Sequence, residues 1–185
     1  KMTNEVKMTG GCMCGAVRYE AIGDTFGVNH CHCKSCRRHT GGPVVTLAGY
    51  MADQVKFSGV ERKIYASSEG VGRAFCGNCG TPITWESVSS VRGGPIFEIH
   101  ISTFDNPDVL VPNGHSFDSE RISWFDIADN LPRFSEFNGD GAPLRNGQLG
   151  KDYPRNNLLK AFVQFNVVSN VKTIAHRSFL TPALK

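Results

Sequence analysis

Long apolar runs are missing from this 185-residue chain. No segment approaches the roughly 20 apolar residues that a membrane-spanning helix needs, so no membrane partner is expected. Residues 1 to 11 carry no apolar core of a secretory signal, which leads us to expect a cytoplasmic, reducing environment. A strong charge bias is missing as well. Twenty Lys and Arg stand against 17 Asp and Glu, a formal net charge of +3. That balance argues for neither a nucleic-acid partner nor a polyacidic tail. No helical stripe of useful length occurs before residue 100. Instead, 20 glycines and nine prolines punctuate the chain, which suits short strands and turns. The length allows one domain with a real core and is too short for two large ones.

Cysteine is present in an unusual arrangement. All seven fall into three clusters: Cys12 and Cys14; Cys31, Cys33 and Cys36; and Cys76 and Cys79. Cys-x-x-Cys flanked by glycine is the shape of a zinc knuckle, in which a tight turn brings both thiolates to one ion. A lone pair could equally be buried free thiols or a redox couple. Three clusters in one chain favour metal. One closed site takes four cysteines and leaves three. Pairing Cys12 and Cys14 with Cys76 and Cys79 uses two whole clusters and keeps Cys31, Cys33 and Cys36 together. A second partition joins Cys33 and Cys36 to Cys76 and Cys79 and strands the remaining three. In the first partition, a three-cysteine zinc keeps a coordination position open, which is the mark of a catalytic site. A thiol at that position loses its proton and becomes a nucleophile, so chemistry on a thiol or a small electrophile is expected.

Lys34, Arg37, Arg38 and His39 crowd the three-cysteine cluster. Three thiolates on Zn²⁺ carry a net charge near −1, which these cations offset. Arg37, Arg38 and His39 could also hold the carboxylates of an acidic thiol substrate; the bland alternative is a solvated basic turn. His30 and His32 are expected beside the metal rather than on it, since cysteines suffice. His176 reads as a surface residue. Alternation predicts strands over 15–21, 44–50, 55–57, 63–65, 73–75, 82–85 and 96–101. Residues 126–132 read as one helical turn stopped by Pro132. His115, Phe117, Trp124 and Phe125 read as core or pocket wall. After Phe137, Asn138 to Pro143 is a linker by composition. Beyond it, Leu158 to Val171 is apolar enough to pack, with a periodicity that fits neither helix nor strand cleanly.

Three stretches together resemble the glutathione-dependent formaldehyde-activating enzyme family, which includes the centromere protein V domain. They are Gly10 to Glu20, Cys31 to Gly41, and Phe75 to Ile83; His115 to Phe117, Trp124 and Asp126 to Pro132 extend the likeness. The resemblance covers about residues 9 to 137. It implies a mostly β, β-tent (Mss4-like) domain with two zinc ions per chain. Cys12, Cys14, Cys76 and Cys79 would hold the structural zinc, and Cys31, Cys33 and Cys36 the catalytic-type zinc. It further implies carbon–sulfur lyase chemistry of the S-(hydroxymethyl)glutathione synthase type on a small-molecule substrate, with glutathione the natural candidate. The alternatives are zinc-assisted cleavage of another small molecule in secondary metabolism, and a non-enzymatic zinc module that binds a protein or chromatin. Residues 138–185 match nothing in the family. This extension could cap the site or join a second copy in a homodimer.

Overall fold

A computed structural model of the protein describes residues 6–137 together with 145 and 146. The expected extension over 138–185 lies outside the described residues apart from that dipeptide. So do the apolar stretch 158–171 and His176.

Alternation of buried and less buried residues is clearest in the first two strands. In β2 (Val17–Ile22), Val17, Tyr19 and Ala21 are buried and the residues between them are not. It lies between β1 (Lys7–Gly11) and β5 (Val55–Gly59) in a three-stranded antiparallel sheet. The second sheet has nine strands among the described residues, in the order β12-β11-β10-β3-β4-β9-β8-β7-β6. Its antiparallel centre is β3 (Gly27–Cys31), β4 (Val45–Met51), β9 (Gly94–His100), β8 (Pro82–Ser89), β7 (Val71–Phe75) and β6 (Lys63–Ser68). At the β3 side, β10 (Gly114–Ser116) and β11 (Pro132–Arg133) add in parallel, and β12 (Arg145–Asn146) pairs antiparallel with β11.

The two sheets meet through one apolar cluster. Met8, Val17, Tyr19 and Val55 from the small sheet pack with Val28, Tyr50, Ile83 and Ile99 from the large one. Tyr19 is 1% exposed, meets Phe104 edge-on at 5.3 Å between ring centroids, and hydrogen-bonds the Thr103 hydroxyl at 2.8 Å. A phenol this deep needs such a partner, because an unbonded buried hydroxyl costs about 1–3 kcal/mol. This mostly β, sheet-rich domain is the β-tent, Mss4-like architecture that the sequence leads one to expect. No helix among the described residues is long and apolar enough to cross a membrane.

The seven predicted strands are present, with β8 running four residues past its predicted end. Two local expectations fail. A seven-residue helix, α1 (Lys34–Thr40), stands where no helix is anticipated. It buries only Cys36, so it carries no apolar stripe to read. Its ends hold it: the Cys33 side chain accepts a bond from the Cys36 N–H, and Gly41 closes it in the left-handed conformation at φ 72°. Conversely, residues 126–132 are not helical. The Asp129 carboxylate accepts the Leu131 N–H and the His115 imidazole, which diverts this segment from helical bonding.

Candidate metal centre and active site

Strand and turn geometry assembles the first cluster. Cys12 follows β1, and Cys76 and Cys79 follow β7. Gly15 and Gly80 both adopt φ 74°, a left-handed turn that other residues rarely take. Each turn closes on its cysteine: the Gly15 N–H bonds the Cys12 carbonyl and the Gly80 N–H bonds the Cys76 carbonyl. Backbone N–H groups of Val17 and Asn78 point at the sulfurs of Cys12 and Cys76, at 3.2 and 3.4 Å. The four sulfurs of Cys12, Cys14, Cys76 and Cys79 lie within 4.8 Å of one another. Cys12–Cys14 is 3.5 Å and Cys14–Cys76 is 3.8 Å. Tetrahedral zinc with bonds of about 2.3 Å separates its sulfurs by about 3.8 Å, whereas a disulfide needs about 2.05 Å. The donor set therefore fits a closed thiolate site. The Thr81 hydroxyl and N–H hold the Cys79 thiol well below its usual range, at about 5.

The second cluster is built where β3 enters α1. Cys31 ends β3, Cys33 caps α1 and Cys36 sits in its first turn. Their three sulfurs also lie within 4.8 Å of one another, with Cys31–Cys36 at 3.7 Å. Hydrogen bonds from the Cys31 and Cys36 thiols, together with the Cys36 N–H, pull the Cys33 thiol down to about 2. These bonds and burial push Cys31 the other way. The cluster thus favours a single thiolate, on Cys33, and resists charge on Cys31 and Cys36. No four-cysteine partition of the ribbon type forms, since Cys33 and Cys36 converge with Cys31 and not with Cys76 and Cys79.

A cavity of about 390 Å³ opens over these three cysteines. Lys34, Arg38 and Arg73 supply its cations, Glu98 and Glu120 its acids, and Trp85, Phe117 and Phe137 its aromatic walls. Arg73 is 6% exposed; its Nη1–H donates to Cys36 Sγ at 3.6 Å and its Nε–H to Ser67. Burial raises Glu98 to about 7, with the Cys33 charge adding to the rise and Arg92 and Arg73 opposing it. Phe117 is the single non-glycine residue at positive φ among the described residues, at 56°. That conformation costs about 1–2 kcal/mol, held here by the Phe117 N–H to Glu136 and by a T-shaped contact with Phe137.

The three expected substrate contacts fare differently. Arg38 faces the cavity and also a groove outside it, which Lys34, Arg37, Ile122 and Trp124 line. Neither Lys34 nor Arg38 has an ion-pair partner among the described residues. Arg37 spends its guanidinium on backbone, donating Nε–H to the His32 carbonyl and Nη2–H to the Glu120 carbonyl. His39 turns toward His100, ring centroids 5.8 Å apart, and both rings leave Nε2 buried without a bond. Burial lowers both, His100 to about 3. Sequence reasoning missed Arg73 and Glu98. Each is a charge inside an otherwise apolar strand stretch, Arg73-Ala74-Phe75 and Ile96-Phe97-Glu98-Ile99, and that was the one signal for them.

The profile of the glutathione-dependent formaldehyde-activating enzymes matches residues 7–120, from β1 through the cavity residue Glu120. The chain belongs to this family. Among curated proteins it is similar to an uncharacterized lyase of Schizosaccharomyces pombe, 34% identical over 74 residues. That match takes in 40% of this chain and 53% of the relative, so the chain spans about half the length of the curated protein it matches. A crystal structure of a Rhodobacter sphaeroides protein aligns at a TM-score of 0.45 with 22% identity, covering 57% of this chain and 98% of that one.

Proposed function

We propose that the protein is a zinc-dependent lyase-type enzyme that joins or parts a thiol, glutathione by preference, and a small aldehyde such as formaldehyde. The observation that carries this reading is the convergence of three thiols, not four, on the floor of a cavity lined with cations. Cys12, Cys14, Cys76 and Cys79 would hold a structural zinc. Cys31, Cys33 and Cys36 would hold a second, which when bound supplies a Lewis acid with one vacant position. The family match and the lyase name of the yeast relative support the reaction class.

The chain's own groups then have defined work. Arg73 holds its N–H on Cys36 and offsets the excess negative charge of the cluster. Lys34 and Arg38, unpaired at the rim, bind the carboxylates of the thiol substrate. Trp85, Phe117 and Phe137 exclude water from the reacting atoms. Glu98, poised near neutrality, takes the thiol proton as the sulfur attacks the carbonyl carbon. It returns that proton to the oxygen of the new carbon–sulfur adduct, so the addition needs no other reactant.

The test is calorimetric titration of zinc-loaded protein with glutathione and its adducts, followed by a substrate panel with Cys33→Ser as the control. Saturable binding and Cys33-dependent turnover are expected. No binding of glutathione or any adduct would end this reading and leave zinc-assisted chemistry on another small molecule.

A further inference from the structure

Behind the three-cysteine loop, on the side away from the cavity floor, lies a buried polar chain. An extended backbone sends alternate side chains to opposite sides, so Cys31 and Cys33 converge while His32 between them points away. His32 is fully buried. Its ring Nε2 is 2.9 Å from His115 Nδ1, with the two rings stacked at an interplanar angle of 16°. His115, also fully buried, meets the Asp129 carboxylate through Nε2 at 2.9 and 3.1 Å. Arg133, 2% exposed, places Nη1 3.3 Å from the same His115 Nδ1 and 3.1 Å from Asp118. Its Nη2 donates to the Ile127 carbonyl at 2.8 Å.

The partners fix the tautomers. An arginine N–H can only donate, so His115 Nδ1 must accept and His115 Nε2–H must donate to Asp129. His32 therefore donates through Nε2–H. The same residue is pinned twice more by backbone: its N–H bonds the Ser116 carbonyl, and its carbonyl accepts from Arg37.

We infer that the buried Asp129–His115–His32 chain is a positioning device that sets the spread of the Cys31 and Cys33 sulfurs and so tunes metal binding at the three-cysteine site. The inference rests on the reading of that cluster as a zinc site. The rival reading is a third metal site, since His30, His115 and Asp129 each bring one ligand atom within 4.8 Å of the others. Arg133 argues against it. Its guanidinium lies 3.3 Å from His115 and 3.4 Å from Asp129, occupying with a fixed positive charge the place where a cation would have to be neutralised.

The experiment loads the full chain with Co²⁺ and follows thiolate-to-cobalt absorption, using Cys31→Ser to separate the two sites. Outer partners of metal ligands typically change affinity by about 10–100-fold when removed. Asp129→Asn is expected to weaken Co²⁺ at the three-cysteine site about tenfold or more and to shift its absorption band. The four-cysteine band should stay where it is, and Asp129→Glu, which keeps the carboxylate, should recover most of the loss. Unchanged band and affinity in Asp129→Asn would overturn the inference, as would a third Co²⁺ per chain lost in that variant. Wild-type protein that never loads the three-cysteine site would instead end the zinc reading on which the inference stands. Should Asp129→Asn not fold, ¹⁵N resonances of the wild-type imidazoles decide: Nε2–H tautomers at both His32 and His115 are expected, and an Nδ1–H form at either overturns the chain.

Discussion

Replacing Arg73 with Met tests how the three-cysteine cluster is held. Arg73 is 6% exposed, so its methylene stem is buried and Met keeps most of that volume. What disappears is the charge, the N–H that reaches Cys36 Sγ at 3.6 Å and the Nε–H bond to Ser67. A hydrogen bond to a charged group contributes about 1.5–3 kcal/mol. At about 1.4 kcal/mol per factor of ten, metal at this site should weaken roughly 10- to 150-fold. The four-cysteine site should be unmoved, because the hydrogen bonds of the Arg73 side chain go to Cys36 and Ser67 and not to Cys12, Cys14, Cys76 or Cys79. Competition between protein and a chromophoric chelator, analysed as two classes of site, measures both affinities in one titration. An equal loss at both sites would mean that Met disturbs β7 as a whole, which also carries the chain to Cys76. No loss at either would mean that the Arg73–Cys36 contact carries no weight in holding the ion.

Glu98 and the rim cations give further outcomes. Burial lifts the Glu98 carboxyl from 4.5 to about 7, so the folded state holds its proton more tightly than the unfolded state does. Its contribution to stability is complete at low pH and lost as pH rises from 4.5 through about 7. Denaturant unfolding at about pH 5 and about pH 8 should show wild type losing more stability across that interval than Glu98→Gln; equal losses would refute the raised carboxyl. The same variant should also flatten the limb of the pH–rate profile near neutrality. The Lys34→Ala, Arg38→Ala double variant should raise the Kd for glutathione about 2- to 30-fold while leaving both metals in place, since exposed ion pairs contribute about 0.2–1 kcal/mol each. Unchanged binding in calorimetry would remove these residues from the substrate site.

Much of the fold and of the two cysteine clusters is legible in the amino-acid sequence. Inward and outward residues alternate along β2, so period-two patterning finds it; β9 shows alternation in its sequence around Ile96, Phe97, Glu98 and Ile99, although its burial does not follow a strict period of two. The cysteine spacing, with glycines at the turns, points to a four-and-three division, and the sulfurs converge in those groups. The missing parts share a physical cause. Helix α1 is held by a thiol cap and a left-handed glycine at its two ends, not by an apolar stripe, so periodicity cannot detect it. β3, with Asn29 and His30 in its middle, is too polar to register as a buried strand although it delivers Cys31. The segment 126–132 carries helix signals, yet Asp129 is drawn away to His115 by a contact 14 residues distant in sequence. Arg37 reads as a substrate clamp because its neighbours are cations; only the fold brings the His32 and Glu120 carbonyls to it.

The division of the seven cysteines is the claim on which the rest depends, and zinc counting on purified protein tests it most directly. Wild type is expected to hold two zinc ions per chain, and Cys31→Ser one, with its β-rich circular dichroism intact. A single zinc in wild type, or loss of both ions in Cys31→Ser with the fold preserved, would contradict the four-and-three division.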